Sequence, residues 1–236
     1  MARENSNSAY AYKVLKRNIF ELNLKPGSEL SEKLIGEKLG MSRTPIREAL
    51  ILLKHDKLIE SIPQKGTFVT KISAQKVLEA KVLRVALETA AFERAVERVD
   101  EEFIEDLRTN IKMQRVYCDG NRNYLEFHKL DNDFHQMIFN KAEISGLWEL
   151  AMNGTGQYQR VRVLNAKNKV SDVSVVEEHE EILLALENKE IDKLRAMLEH
   201  HLGRTLLKLK ELEDENPEYF EKIEEIQKED FFIMLK

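Results

Sequence analysis

Apolar positions recur every three or four residues through most of this chain, the spacing of one buried face on an α-helix. Residues 10–23 read as a first amphipathic helix, which the turn stretch KPGSE (25–29) ends. Ser31 is placed to N-cap a short helix over 32–39, and Gly40 to close it. Ser42 then caps a third helix that opens with RTPIREAL and runs on through ILLKHDK. Pro45 is tolerated there because first-turn amides have no partner inside the helix. Only after this helix does the period change. LIESI and TFVTKI are two short β-branched runs on either side of PQKG, which predicts a small hairpin.

From about residue 74 the helical period returns, with few turn signals. Residues 77–96 form a strongly apolar helix and 101–117 another, ended by the loop DGNRN. Over 124–140, Tyr124, Phe127, Leu130, Phe134 and Ile138 fall at helical spacing. Shorter helices are predicted near 144–152 and 156–166, around NGTG (153–156), and a last pair over 173–187 and 190–212. The segment from Glu211 carries ten acidic residues and three lysines, and reads as a solvated extension with the apolar tip FFIML. The predicted fold is mainly α. Three helices and a hairpin occupy 1–72, an all-α helical bundle 73–212 and an acidic C-terminal extension 213–236.

Composition narrows this picture. The chain has 236 residues, 42% of them hydrophobic and 33% charged, with nine glycines and four prolines, too few for a turn-rich β-fold. No run approaches the ~20 apolar residues of a spanning helix, and the N-terminus lacks the apolar core of a secretory signal. A cytoplasmic protein with no membrane partner is therefore expected. Cys118 is the only cysteine, which excludes an internal disulfide and suits a reducing compartment. The net charge of −5 conceals an asymmetry. Residues 1–72 carry 13 Lys and Arg against 8 Asp and Glu, whereas the remaining 164 carry 24 against 34. A basic segment joined to an acidic body suggests that one part meets a polyanion and the other does not.

Three helices with a cationic third, followed by a hairpin, describe a winged helix-turn-helix. The third helix of that arrangement enters a DNA major groove N-terminus first. Arg43 and Arg47 project from one face and suit guanine edges or phosphates, while Thr44 and the early backbone amides suit phosphate. Lys65 and Gly66 at the hairpin tip can approach the minor groove, Gly66 because it has no side chain. Taken alone, the two arginines are equally well ordinary solvated helix residues. Since one winged helix covers one half-site, a homodimer on a palindromic double-stranded operator is expected.

The acidic body holds polar residues where apolar ones belong. His179 lies on the stripe Val175, Val176, Ile182, Leu183, Leu186, and His201 on Leu194, Met197, Leu198, Leu202, Leu206. Asp131 and His135 stand four apart beside Phe127, Leu130, Phe134 and Ile138. Unpaired charges are costly on such faces. One carboxylate and three imidazoles would satisfy one another through a divalent metal of the zinc, nickel or manganese class. The other reading is a set of hydrogen-bonded core histidines and a helix-surface Asp–His pair. His55, His128 and His200 serve as comparisons.

LSEKLIGEKLGMSRTPIREALILLKHDKLIESIPQKGTFVT (30–70) closely resembles the winged-helix domain of the GntR family of bacterial transcription regulators, over roughly residues 10–72. The resemblance implies that Arg43 and Arg47, the small polar residues Ser42 and Thr44, and the wing residues Lys65 and Gly66 contact operator DNA. Lys57 departs from the glycine usual before the wing strand, and Gly36 from the alanine usual in the second helix. Gly36 would cost that helix about 1 kcal/mol relative to alanine. Residues 74–205 resemble the FCD ligand-binding domain of the FadR subfamily, through RVALETAAFERA, LDNDFH, EEHEEILLALENKE and the HL pair at 201–202. Many such domains hold a metal through one Asp and three His, which implies Asp131, His135, His179 and His201 here.

Such a site would attract an anionic oxygen ligand, and an arginine would clamp its far carboxylate. The resemblance implies Arg84, which the family turns toward the cavity; Arg160 and Arg162 in YQRVR are further candidates that read equally well as surface residues. By the same resemblance the effectors are small carboxylates such as sugar acids, hydroxy acids or dicarboxylates. The resemblance also implies that a metal site argues against a fatty acyl effector, because the acyl-CoA-responsive members of the subfamily lack one. Two rivals stand beside this reading: a regulator whose metal is structural or is itself the signal, and a metal-dependent hydrolase. Against the hydrolase, the chain has no HExxH glutamate, nucleophile elbow or phosphate loop.

Overall fold

The computed structural model describes residues 6–119, 123–168 and 173–222. Most of the DGNRN loop and the FFIML tip lie outside them. The chain divides into two compact units: residues up to Ala74 together with those from Glu211 onward, and residues Gln75–Lys210.

The first unit opens with α1 (Asn7–Phe20), whose Ser6 side chain accepts from the Ala9 amide as its cap. Ala11, Leu15 and Ile19 recur at four-residue spacing and are all buried. They meet Ile46, Ala49, Leu50 and Leu53 of α3 (Arg43–His55) in one apolar cluster. Between them lies α2 (Glu32–Leu39), capped by Ser31 and closed by Gly40 at φ 65°. Ser42 occupies the N-cap position of α3 but makes no side-chain capping bond, which leaves its hydroxyl exposed at the helix start. Gly36 is required rather than merely tolerated. A β-carbon there would lie 2.9 Å from the Met41 carbonyl oxygen, where the chain folds back to pair with the α2 terminus.

The hairpin forms as β1 (Ile59–Ile62) and β2 (Gly66–Val69), antiparallel with Ile59 opposite Val69. KPGSE, read as a turn, also gives the sheet an edge: Glu29 bridges Phe68, and Leu30 donates to the Thr67 carbonyl at 2.7 Å.

The segment after Glu211 is not a solvated extension where it is described. Phe220 is 2% exposed, bridges Ile72 in parallel, and is flanked by bonds between Ile72 N–H and Tyr219 C=O (2.8 Å) and between Glu221 N–H and Ile72 C=O (2.9 Å). Its physical reason is plain: an aromatic side chain and two backbone groups find partners beside the wing.

The second unit is all helical: α4 (Ala74–Val96), α5 (Glu101–Asp119), α6 (Tyr124–Lys141), α7 (Ser145–Gly154), α8 (Gly156–Asn168), α9 (Val173–Glu187) and α10 (Ile191–Leu207). α5 packs on α6 and α9, and α9 on α10. Phe92, Leu107, Phe134, Ile138, Phe139, Ile182, Leu186 and Leu198 form their common core. The long helix predicted over 190–212 breaks at Lys208, after which α11 (Leu209–Glu215) carries the chain back to the first unit.

Candidate metal centre and nucleic-acid interface

Asp131, His135, His179 and His201 are buried, and one potential ligand atom from each lies within 4.8 Å of the others. α6 supplies Asp131 and His135 one turn apart, α9 supplies His179 and α10 supplies His201. Nε2 of His201 stands 3.2 Å from Nε2 of His179 and 3.3 Å from Nε2 of His135. Asp131 oxygens lie 3.9 Å from the Nε2 atoms of His135 and His179.

The opposite ring nitrogens decide what those Nε2 atoms carry. The Leu130 carbonyl can only accept, so Asn110 turns its amide nitrogen to it (3.1 Å) and its oxygen to Gln114 (2.7 Å). Gln114 must then present its oxygen to His179 Nδ1 at 2.8 Å, and that nitrogen is the donor. His201 Nδ1 likewise donates to the Glu178 carboxylate at 2.8 Å. His135 Nδ1 lies 2.6 Å from Glu88 Oε2, close but too poorly aligned for a regular hydrogen bond. With the Nδ1 atoms of His179 and His201 donating outward and that of His135 beside a carboxylate, the three Nε2 atoms are left to face one another. Neutral imidazoles so arranged cannot bond to each other, whereas one cation satisfies all of them. Burial, reinforced by the neighbouring imidazoles, holds His179 well below its usual range; burial also lowers His201. Burial would raise the Asp131 carboxyl, but Arg162 and the three histidines outweigh it and keep it ionised. The donor set therefore fits a borderline divalent cation of the zinc, nickel or manganese class.

In the first unit, Ser42, Arg43, Thr44 and Arg47 are exposed at the start of α3, and Lys65 and Gly66 at the tip of the hairpin. Arg47 Nε pairs with Glu32 at 2.9 Å. Gly66 has φ 129°, a conformation side chains disfavour, and a β-carbon would approach Glu29 to 3.1 Å.

Comparison with known proteins finds a family match in each half of the chain. Residues 7–69 match the gntR family of bacterial regulatory proteins, and residues 79–204 match the FCD domain. The HTH-type transcriptional repressor RspR of Escherichia coli K12 is 29% identical over 89% of this chain and 91% of its own. An HTH-type transcriptional regulator from an unstable DNA locus of Streptomyces ambofaciens is 30% identical over 93% of each chain. The chain belongs to the GntR family. It is a DNA-binding transcriptional regulator with an FCD domain. The E. coli McbR/YncC structure shares the fold, with a TM-score of 0.74 at 22% identity over 87% of this chain and 98% of that one. The matched families and relatives are transcriptional regulators rather than enzymes. No helix among the described residues is long and apolar enough to cross a membrane.

Within the FCD domain a cavity of about 610 Å³ reaches Asp131 and His201 and is lined by Arg84 and Arg162 but not by Arg160. Neither arginine of YQRVR is on the surface. Arg160 is fully buried and donates to Gln157 at 2.7 Å, away from the cavity. Arg162 is committed to its neighbours: Asn132 (2.9 Å), Gln159 (3.0 Å), His128 (3.3 Å) and an ion pair with Asp131. Arg84 is 1% exposed, bonds Glu88 through Nε at 2.6 Å, and leaves Nη2 without a partner among the described residues.

Glu88, Gln114 and Glu178 were missed by sequence reasoning. Glu88 alone had a local signal, standing one turn after Arg84 within RVALE. His128, taken as a comparison, lines the cavity; burial, aided by Arg162, pushes its imidazole down to about 3. His55 and His200 are exposed.

Proposed function

We propose that this GntR regulator is a cytoplasmic homodimer whose affinity for a palindromic operator is set by a small carboxylate bound at a divalent metal in its FCD domain. Asp131, His135, His179 and His201 hold the metal, and Glu88, Gln114 and Glu178 orient the imidazoles. The metal supplies a positive anchor for an anionic oxygen, and Arg84 supplies hydrogen-bond donors beside it. The observation that supports this reading is the convergence of three imidazole Nε2 atoms, with the Nδ1 atoms of His179 and His201 donating to acceptors and that of His135 beside Glu88. Ser42, Arg43, Thr44 and Arg47 read the major groove, with Lys65 and Gly66 at the minor groove. The effector controls operator binding only if it binds the DNA-competent and incompetent states unequally.

A thermal-shift titration of carboxylates on metal-loaded and chelator-stripped protein tests it. A ligand that binds the native state stabilises it by RT ln(1 + [L]/Kd), so a saturating effector should raise Tm only with metal present and should change operator affinity in a mobility-shift assay. Equal behaviour of stripped and loaded protein would remove the metal from the reading. The ion pair between Asp131 and Arg162 favours a second reading, a metal that is structural or itself the signal. In that case stripping would lower Tm and alter operator affinity, while no carboxylate would do either.

A further inference from the structure

The cavity beside the candidate metal centre is larger than a four-carbon acid requires, and several rings contribute to its lining. Its volume of about 610 Å³ is that of roughly 20 waters, and lies within the ~300–1,000 Å³ of sites that take drug-sized ligands. A four-carbon diacid has eight non-hydrogen atoms, or nine with a hydroxyl group, and fills well under half of that space. Tyr117, Tyr124, Phe127, Tyr158 and Leu202 contribute ring and aliphatic surface to its lining, while the exposed lining residues include Lys167 and His200. Tyr158 cannot serve as a free hydroxyl partner, since it donates to the Leu202 carbonyl at 2.8 Å. Its ring instead faces the Arg84 guanidinium, 5.3 Å away. The charged lining is strongly one-sided: Arg84, Arg162, Lys167, Arg204 and Lys208 against Asp131 alone.

Two features divide the cavity by chemistry. At the inner end Arg84 is almost fully buried, with the Nη2 donor that found no partner. A buried guanidinium nitrogen without an acceptor is costly, and a carboxylate oxygen is its natural complement. Farther along, Phe127 and Tyr124 of α6 offer ring surface, and Lys167 sits over the Tyr124 ring at 5.9 Å. Ring surface rewards a flat apolar body more than a chain of hydroxyls.

We infer that the effector is an amphipathic aryl carboxylate, with its carboxylate at Arg84 and its ring against Phe127 and Tyr124. This rests on the carboxylate-sensor reading above and narrows it, against the sugar acids and hydroxy acids that the family resemblance suggested.

The test is isothermal titration of the full-length, zinc-loaded protein with 3-phenylpropionate, acetate, gluconate and malate, repeated after chelation. Burying a phenyl ring raises affinity about ten- to a hundredfold. Phenylpropionate should therefore bind at least tenfold more tightly than acetate, gluconate or malate. Tyr124→Ser, at a half-exposed position where folding is not at risk, should cut the phenylpropionate-to-acetate affinity ratio severalfold; Phe127→Leu should cut it as well. Gluconate or malate binding as tightly as phenylpropionate, and only with zinc, would overturn the aryl assignment while leaving the metal-anchored carboxylate reading intact. A phenylpropionate preference unmoved by both variants would also overturn it. If no carboxylate of either kind binds the zinc-loaded protein, the underlying reading fails together with this one.

Discussion

Lys57 follows the last turn of α3 with φ 57°, in the left-handed region where a β-carbon is strained by about 1–2 kcal/mol. The turn demands that conformation, because Lys57 N–H donates to Lys54 and Leu58 N–H to Leu53, closing the helix end. Glycine would relieve the strain, although the freedom it adds to the unfolded chain offsets about 0.4–1 kcal/mol. Lys57→Gly should therefore raise stability by roughly 0.5–1 kcal/mol, seen as a higher denaturant midpoint. Gly36 behaves in the opposite way. Helix propensity favours alanine by about 1 kcal/mol, but the new β-carbon would press on the Met41 carbonyl at 2.9 Å. Gly36→Ala should lower Tm, and a rise would mean that the α2–α3 turn yields easily. Here the departure from the family pattern was legible in the sequence, while its sign was not. Propensity is local, whereas the Met41 contact exists only after the turn has folded.

At the scale of elements, α1 and α3 are pinned by more than their apolar faces. Tyr12 donates its hydroxyl to Asp56 at the end of α3, and Lys16 lies 3.4 Å from the same carboxylate. Burial alone would raise the Asp56 carboxyl; the bond from Tyr12 and the charge of Lys16 outweigh it and hold it below its ordinary 3.8. A depressed carboxylate stabilises the fold above its unfolded value and loses that contribution as pH falls through the folded one. Tyr12→Phe should cost about 1–2 kcal/mol at neutral pH, and the difference from the parent should shrink below about pH 4 in acid-unfolding curves. The start of α3, the proposed recognition helix, is exposed, and its Arg47–Glu32 pair contributes little to stability. Arg43→Ala and Arg47→Ala should each weaken operator binding by about 1–3 kcal/mol without lowering Tm. Normal binding by both variants would remove α3 as the reading element.

For the whole molecule, the chain leaves the first unit near Ala74 and returns to it near Glu211. The returning segment is held by Phe220 and its bridge to Ile72. Phe220→Ala should cost about 3–5 kcal/mol, read as a lower Tm, whereas a solvated tail would make the change silent. Local sequence pattern was enough to determine the hairpin, the helices apart from the break at Lys208, and the faces on which Asp131, His135, His179 and His201 lie. Those follow from neighbours three or four residues apart, and local spacing carries them. Tertiary structure alone decided which acceptors turn each imidazole inward, because Glu88, Gln114 and Glu178 reach them from α4, α5 and α9 across long separations. It likewise separated Arg162, drawn to Asp131, from Arg160, which lies two residues earlier and away from the cavity. The docking of Phe220 was equally hidden. One aromatic in an acidic segment has no period to announce it, and its burial depends on a partner almost 150 residues earlier in the chain.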